Sequence, residues 1–292
     1  MIERVLFYIN WGKVQDGEAV REGVRLCRKY GVECVFLSQD REKAEALFEQ
    51  EKLCFTDSPE KSDVQMIFTF GGDGTVLSAI DRMAQLELPI LGMNLGRMGF
   101  LLEADIPEME NCIRMLLEGK YKIEKRMILS MEAHLASGEI RAFATNEISI
   151  NRGYSQRMIA LDVKADGVLV EHYIADGVIV ASPTGSTGYS LSAGGPIITP
   201  DVECLLVCPI CPHMLQARPI ILSEKSHITV SLNMLEEREG IGLSVDGQIK
   251  AGLRNGDEIH ICRSPHDALL VRFSRERNYF ELLKGKLSQW SL

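Results

Sequence analysis

Val64-Gln65-Met66-Ile67-Phe68-Thr69-Phe70-Gly71-Gly72-Asp73-Gly74-Thr75-Val76-Leu77 changes character halfway, from a nearly unbroken apolar run to three glycines in four residues. The run has the length and composition of a strand buried on both faces (64–70), and helical spacing follows at about 75–85. A buried strand that turns on glycines straight into a helix belongs to an open α/β sheet. Outward from it, strands are predicted at 5–9, 32–37 and 90–93, and helices at 17–30, 41–51 and 107–118, with Val20, Val24 and Leu26 facing the core. Strand and helix taking turns implies a mostly parallel sheet. The second half reads differently. There Asp166-Gly167, Asp176-Gly177, Asp246-Gly247 and Asn255-Gly256 read as hairpin turns between alternating strands such as 159–164, 228–232 and 258–262. The pattern changes at 121–125. The expected architecture is therefore an α/β domain at 1–125 and a β-rich domain at 126–272. A tail at about 273–292, carrying Phe280, Leu282, Leu283 and Trp290, is expected to pack back on the first domain.

Composition bounds the function. The 292 residues are 46% apolar and 25% charged, which excludes a disordered or low-complexity chain. A net charge of -9 argues against a nucleic-acid polymer or an anionic membrane as partner, so any phosphate site must be built locally. No apolar stretch is long enough to span a bilayer, and the start mixes charges too early for a signal peptide, which makes the cytoplasm the expected compartment. Dispersed cysteines suit reduced, buried thiols. Cys204, Cys208, Cys211 and His213 lack a C-x2-C pair and read as a strand and its exit, so no metal site is assigned there.

Chemistry concentrates in four segments. Gly71, Gly72 and Gly74 let a phosphate approach the backbone, and the unpaired amides of the following helix favour an anion. Asp73 among them would repel phosphate unless it accepts the proton of an attacking hydroxyl or partners magnesium, although an aspartate also suits a helix N-cap. Neither a Walker sequence nor a G-x-G-x-x-G is present. The second segment runs from Asp176-Gly177 through Pro183-Thr184-Gly185-Ser186-Thr187-Gly188-Tyr189-Ser190-Leu191-Ser192 to Gly194-Gly195-Pro196. It is rich in amides and hydroxyls but misses the G-x-S-x-G elbow, so it reads as a binding surface in a fixed conformation, not a hydrolase. Asn146-Glu147, between apolar residues, could hold a ribose or a base edge, and Leu91–Leu101 is a glycine-punctuated loop after a strand.

Taken together, these segments resemble the NAD kinase family. Arg126, Leu129, Pro212-His213, Ala217-Arg218-Pro219 and Val245-Asp246-Gly247-Gln248 extend the resemblance over roughly residues 5 to 250. It implies phosphoryl transfer from ATP or polyphosphate to the 2′-hydroxyl of the adenosine ribose of NAD, with a divalent metal, usually magnesium. Asp73 would be the base and the Gly71 to Thr75 backbone would face the donor. Asn146, Glu147, Asp176, Thr187, Gly188, Tyr189, Ser190, Leu191 and Ser192 would bind NAD, with Arg157 and Gln248 as weaker carry-overs. The family further implies homodimers or homotetramers. Three departures stand out. Gly188 replaces the usual alanine, which removes a methyl beside the ligand loop, and Ser78 and Ile174 stand where many bacterial members carry a basic residue. Lys13, Arg97 and Arg157 are the candidate substitutes. A lipid or sphingoid kinase sharing Gly-Gly-Asp-Gly, and a non-catalytic dinucleotide sensor, are the competing readings.

Overall fold

The computed structural model describes residues 2–14, 16–49, 51–60, 63–96, 99–234, 240–273 and 279–289; Arg97 and Trp290 lie outside them. The chain divides into two compact units. Met1–Ala79, Leu86–Glu124 and Leu269–Leu292 form one, and Ile80–Gln85 with Lys125–Ala268 forms the other.

In the first unit five parallel strands stand in the order Cys54–Thr56, Glu33–Leu37, Arg4–Ile9, Met66–Gly71, Ile90–Asn94. The register sets Phe7 beside Phe68 and Phe68 beside Leu91. Phe7 also touches the rings of Phe36 and Phe70, so aromatic packing fills the centre of the sheet. Helix Glu18–Lys29 buries Val20, Gly23, Val24, Leu26 and Cys27. The chain winds outward in one direction from Arg4–Ile9 and returns to its other side with Met66–Gly71. The strand order therefore reverses between these two neighbours, and ligands bind beyond the carboxyl ends of strands at such a switch point. Helix Asp73–Met83 starts there, while its last residues group with the second unit, where Asp81 accepts hydrogen bonds from Phe143 N at 2.9 Å and Lys250 Nζ at 2.6 Å.

The second unit packs two antiparallel layers. One contains Val168–Ala175, Ile159–Ala165, Ile228–Leu232 and the start of the long strand Glu258–Arg272. The other runs Ile220–Ser223, Cys204–Ile210, Gly177–Ala181, Glu147–Asn151, Gly242–Val245, Gln248–Gly252. Leu161, Tyr173 and Ile259 from the first layer share a core with Ile148, Val178 and Val207 from the second. On its far face the second layer packs Ile179 and Leu206 against Ile198, so its central strands are apolar on both sides.

Two of the four predicted hairpin turns are corrected. Asp166-Gly167 (φ 52° and 81°) and Asp246-Gly247 (φ 47° and 77°) join paired strands with the double positive φ that tight hairpins use. Asp176-Gly177 instead carries the chain from one layer to the other, because the strand before it pairs with Ile159–Ala165 and the strand after it with Glu147–Asn151. Asn255-Gly256 likewise links Gln248–Gly252 to Glu258–Arg272 in the opposite layer. The latter strand runs ten residues past its predicted end at Cys262. Cys204 and Cys208 are buried in their strand, while Cys211 turns away at φ 44° and is exposed.

Candidate active site

The glycine loop of the first unit leaves the buried strand Met66–Gly71 and enters helix Asp73–Met83 within two residues. Each glycine has a different reason to be there. A Cβ on Gly71 would overlap the Thr75 side chain, so this position is closed by packing. At Gly72 it would meet only Lys13 Nζ, and at Gly74 nothing within 4 Å, so these two present open backbone to a ligand. The Thr75 hydroxyl is buried without a partner among the described residues.

Asp73 is oriented by the chain opposite it. Its Oδ2 accepts Phe100 N at 2.9 Å and its Oδ1 accepts Leu101 N at 3.1 Å. One amide on each oxygen fixes the carboxylate plane and leaves lone pairs free for a further proton donor or ion. The fourth glycine-punctuated segment is thus the clamp on the candidate base. Gly99 is required by this contact, since a Cβ there would overlap the carboxylate. A cavity of about 580 Å³ opens over the loop, lined by Gly72, Asp73, Gly74, Asn94, Lys13 and Lys286.

Of the three candidate cations, Lys13 has its ammonium over Gly72, Arg157 is exposed in the second unit, and Arg97 lies outside the described residues. Lys286, from the terminal helix Tyr279–Gln289, joins Lys13 in the cavity lining. It carries no motif, and nothing in its neighbourhood of the sequence announced it. Neither lysine has a carboxylate partner among the described residues. Ser78 is occupied, sharing a hydrogen bond with Tyr8 at 2.8 Å.

In the second unit the organising residue is Asp246. Its carboxylate gathers the amides of Thr145 at 2.9 Å, Asn146 at 2.8 Å and Glu147 at 3.0 Å, holding the Asn146-Glu147 turn. Gln248, named from the sequence, is exposed. Ser182 N donates to Asn146 O at 2.9 Å, and Gly185 packs so closely on the Asn146 backbone that a Cβ would collide with it. The polar segment is ordered as a short 3-10 turn, Thr184–Thr187, and a single helical turn, Tyr189–Ser192. Arg126, buried, donates to Thr184 Oγ1 at 3.3 Å.

Glu147 is 7% exposed and its Oε2 has no partner among the described residues. Burial, and then the charge of Asp246, push its carboxyl up to about 7 against a hydrogen bond from the Tyr189 backbone. Burial lifts Asp246 only to about 6, because its three amides favour the ionised form. Because both carboxyls are raised, their protonated forms favour the fold, and that contribution is lost as pH rises from about 4 to about 7. Tyr189 is 41% exposed, and its phenol is raised by burial and by the nearby charges of Cys211, Asp176 and Glu147, so these groups share one neighbourhood. Asp176 accepts Arg152 Nε at 2.6 Å, whereas Arg157 stays exposed in the segment after it. Ile174 is an exposed strand residue. Gly188 faces Glu147 Oε2, which a methyl would approach to 2.9 Å, so the missing alanine opens room beside that carboxylate.

Comparison with known proteins follows the same division. Residues 21–121 match the ATP-NAD kinase N-terminal domain and residues 145–273 match the ATP-NAD kinase C-terminal domain. The chain is 42% identical over 232 residues to an NAD kinase of Geotalea daltonii, covering 79% of this chain and 80% of that one. It is 38% identical over 259 residues to an NAD kinase of Desulforamulus reducens, covering 85% and 88%. Among solved structures, yeast NADH kinase complexed with NADH aligns with a TM-score of 0.86 at 28% identity, covering 98% of this chain and 88% of that one. An Archaeoglobus fulgidus NAD kinase in complex with ATP aligns at 0.70 and 27% identity, covering 97% and 99%. With both domain models matched in order and relatives near 40% identity over most of its length, the chain belongs to the NAD kinase family.

Proposed function

We propose that this enzyme transfers the γ-phosphoryl group of ATP to the 2′-hydroxyl of the adenosine ribose of NAD, giving NADP. The observation that carries the reading is Asp73, clamped by two amides beside open glycine backbone in a cavity lined by two lysines. The 2′-oxygen forms the new P–O bond as its proton passes to Asp73. The bond from the γ-phosphorus to the bridging oxygen breaks, its electron pair leaving on ADP. Such a transfer asks mainly for positioning and charge neutralisation, which glycine amides, a helix start and lysines supply. Asn146, Glu147, Asp176 and residues 187–192 are proposed to hold NAD, with Tyr189 stacking on the adenine.

Magnesium fits as an ion arriving with the donor phosphates, since it keeps several waters and binds largely through substrate phosphates, and the cavity of about 580 Å³ over the glycine loop has room for it with Asp73 left as the base. When bound it would neutralise the donor's charge. Polyphosphate as alternative donor, NADH as alternative acceptor, and a cytoplasmic homodimer or homotetramer complete the proposal. No helix among the described residues is long and apolar enough to cross a membrane. Incubation with NAD, ATP and magnesium, followed by an NADP-specific dehydrogenase, tests it. NADP formed supports the kinase; NAD bound without product from ATP or polyphosphate supports a sensor.

Two outcomes follow from the site. Lys13→Ala and Lys286→Ala should each raise KM for ATP about 10- to 100-fold, the loss of one charge-assisted contact, and leave KM for NAD unchanged. A rise in KM for NAD alone would remove them from the donor site. If ionised Glu147 accepts hydrogen bonds from NAD, KM for NAD should fall roughly tenfold from pH 6 to pH 8, following its ionised fraction. Glu147→Gln should flatten that dependence, and a profile equally steep in the variant would assign it to another group.

A further inference from the structure

We propose that Arg272 is a positioning residue for Asp73, acting through one peptide group; this rests on Asp73 being the base. Arg272 ends the strand Glu258–Arg272, far in sequence from every motif. Its Nη2 donates to Phe100 O at 3.0 Å, and Nη1 to Leu102 O at 3.1 Å, Leu101 O at 3.3 Å and Glu103 Oε2 at 3.2 Å. Its Nε donates to Glu124 Oε2 at 2.6 Å. Glu103, 2% exposed, is anchored through its other oxygen by Phe273 N at 3.0 Å. The guanidinium therefore grips the carbonyl side of the loop whose amide side grips Asp73.

The decisive juxtaposition is the peptide group between Phe100 and Leu101. Its carbonyl accepts from Arg272, and its N–H donates to Asp73 Oδ1. In a trans peptide these groups point in opposite directions, so cation and carboxylate stand on opposite sides of one peptide plane. A cation at the oxygen end polarises the group and strengthens its N–H as a donor. Spanning successive carbonyls needs the planar fork of arginine, which a lysine ammonium cannot reproduce. Arg272 thereby fixes where the carboxylate sits and strengthens the bond that holds it.

Kinetics separate this role from general support of the loop. Arg272→Lys should lower kcat about 30- to 100-fold, the scale of a misplaced catalytic group, with KM for NAD and ATP within about twofold. Adding it to Asp73→Asn should cost less than about threefold more, because the group it positions is already disabled. Glu124→Ala, which removes the acceptor of Nε and leaves the guanidinium's grip on the loop carbonyls, should produce the same kcat-only pattern at about 3- to 10-fold, and decides the matter if Arg272→Lys does not fold. Additive losses in the double variant, or losses confined to KM, would overturn the inference. An Asp73→Asn variant with full activity would instead overturn the base assignment itself. Collapse of Asp73→Asn with unchanged kcat in Arg272→Lys would overturn only the role of Arg272.

Discussion

Asp73→Asn is expected to lower kcat for NADP formation by about 10²- to 10⁴-fold, the range for loss of a positioned general base, with NAD affinity within about twofold. The two amides on Asp73 make the substitution harsher than isosteric. Both carboxylate oxygens accept an N–H, whereas asparagine offers one acceptor and sets an NH₂ against the remaining donor. The variant therefore loses the base and part of its alignment together. A group that acts mainly in the transition state removes kcat and kcat/KM in parallel. Steady-state kinetics with calorimetric NAD binding check this, and a loss confined to binding would reassign Asp73 to substrate recognition.

Gly99→Ala should be nearly as damaging although residue 99 carries no side chain of its own to the chemistry. The added Cβ would occupy the space of the Asp73 carboxylate, so either the side chain swings away or the loop backs off and breaks its two bonds. Displacement of a reacting group by about 1 Å costs on the order of 10²-fold, and that drop in kcat is expected with NAD and ATP binding retained. The contrast with Gly74 is informative. Nothing stands within 4 Å of a Cβ there, so Gly74→Ala leaves the fold intact and affects only the approach of the donor. Equal kcat in wild type and Gly99→Ala would mean that the clamp is not needed for catalysis.

The parts legible in the sequence are those written locally. An apolar strand, a glycine turn and a helix start within residues 64–77 are enough to place the glycine loop at a strand's carboxyl end. Turn chemistry was less decisive. Asp176-Gly177 and Asp166-Gly167 share residue types, yet one changes layers and the other closes a hairpin; the difference lies in which distant strands their flanks pair with. The long final strand was read short because Pro265, His266 and Asp267 interrupt its apolar alternation. The part Asp246 plays at the Asn146-Glu147 turn comes from pairing across about a hundred residues, which its own tight turn with Gly247 does not announce. Arg272 and Lys286 had no signal at all. They are placed by the return of the chain's end to the first unit, where they meet a loop about 170 residues earlier and a glycine motif earlier still.

The most direct test of the central claim is a single turnover with ATP labelled at the γ-phosphorus and unlabelled NAD, in magnesium and then with excess chelator. Label is expected on the adenosine 2′-oxygen of NADP for the wild type, and none for Asp73→Asn or for the chelated enzyme. Label released only as inorganic phosphate, or transferred to NAD by Asp73→Asn at the wild-type rate, would contradict the claim.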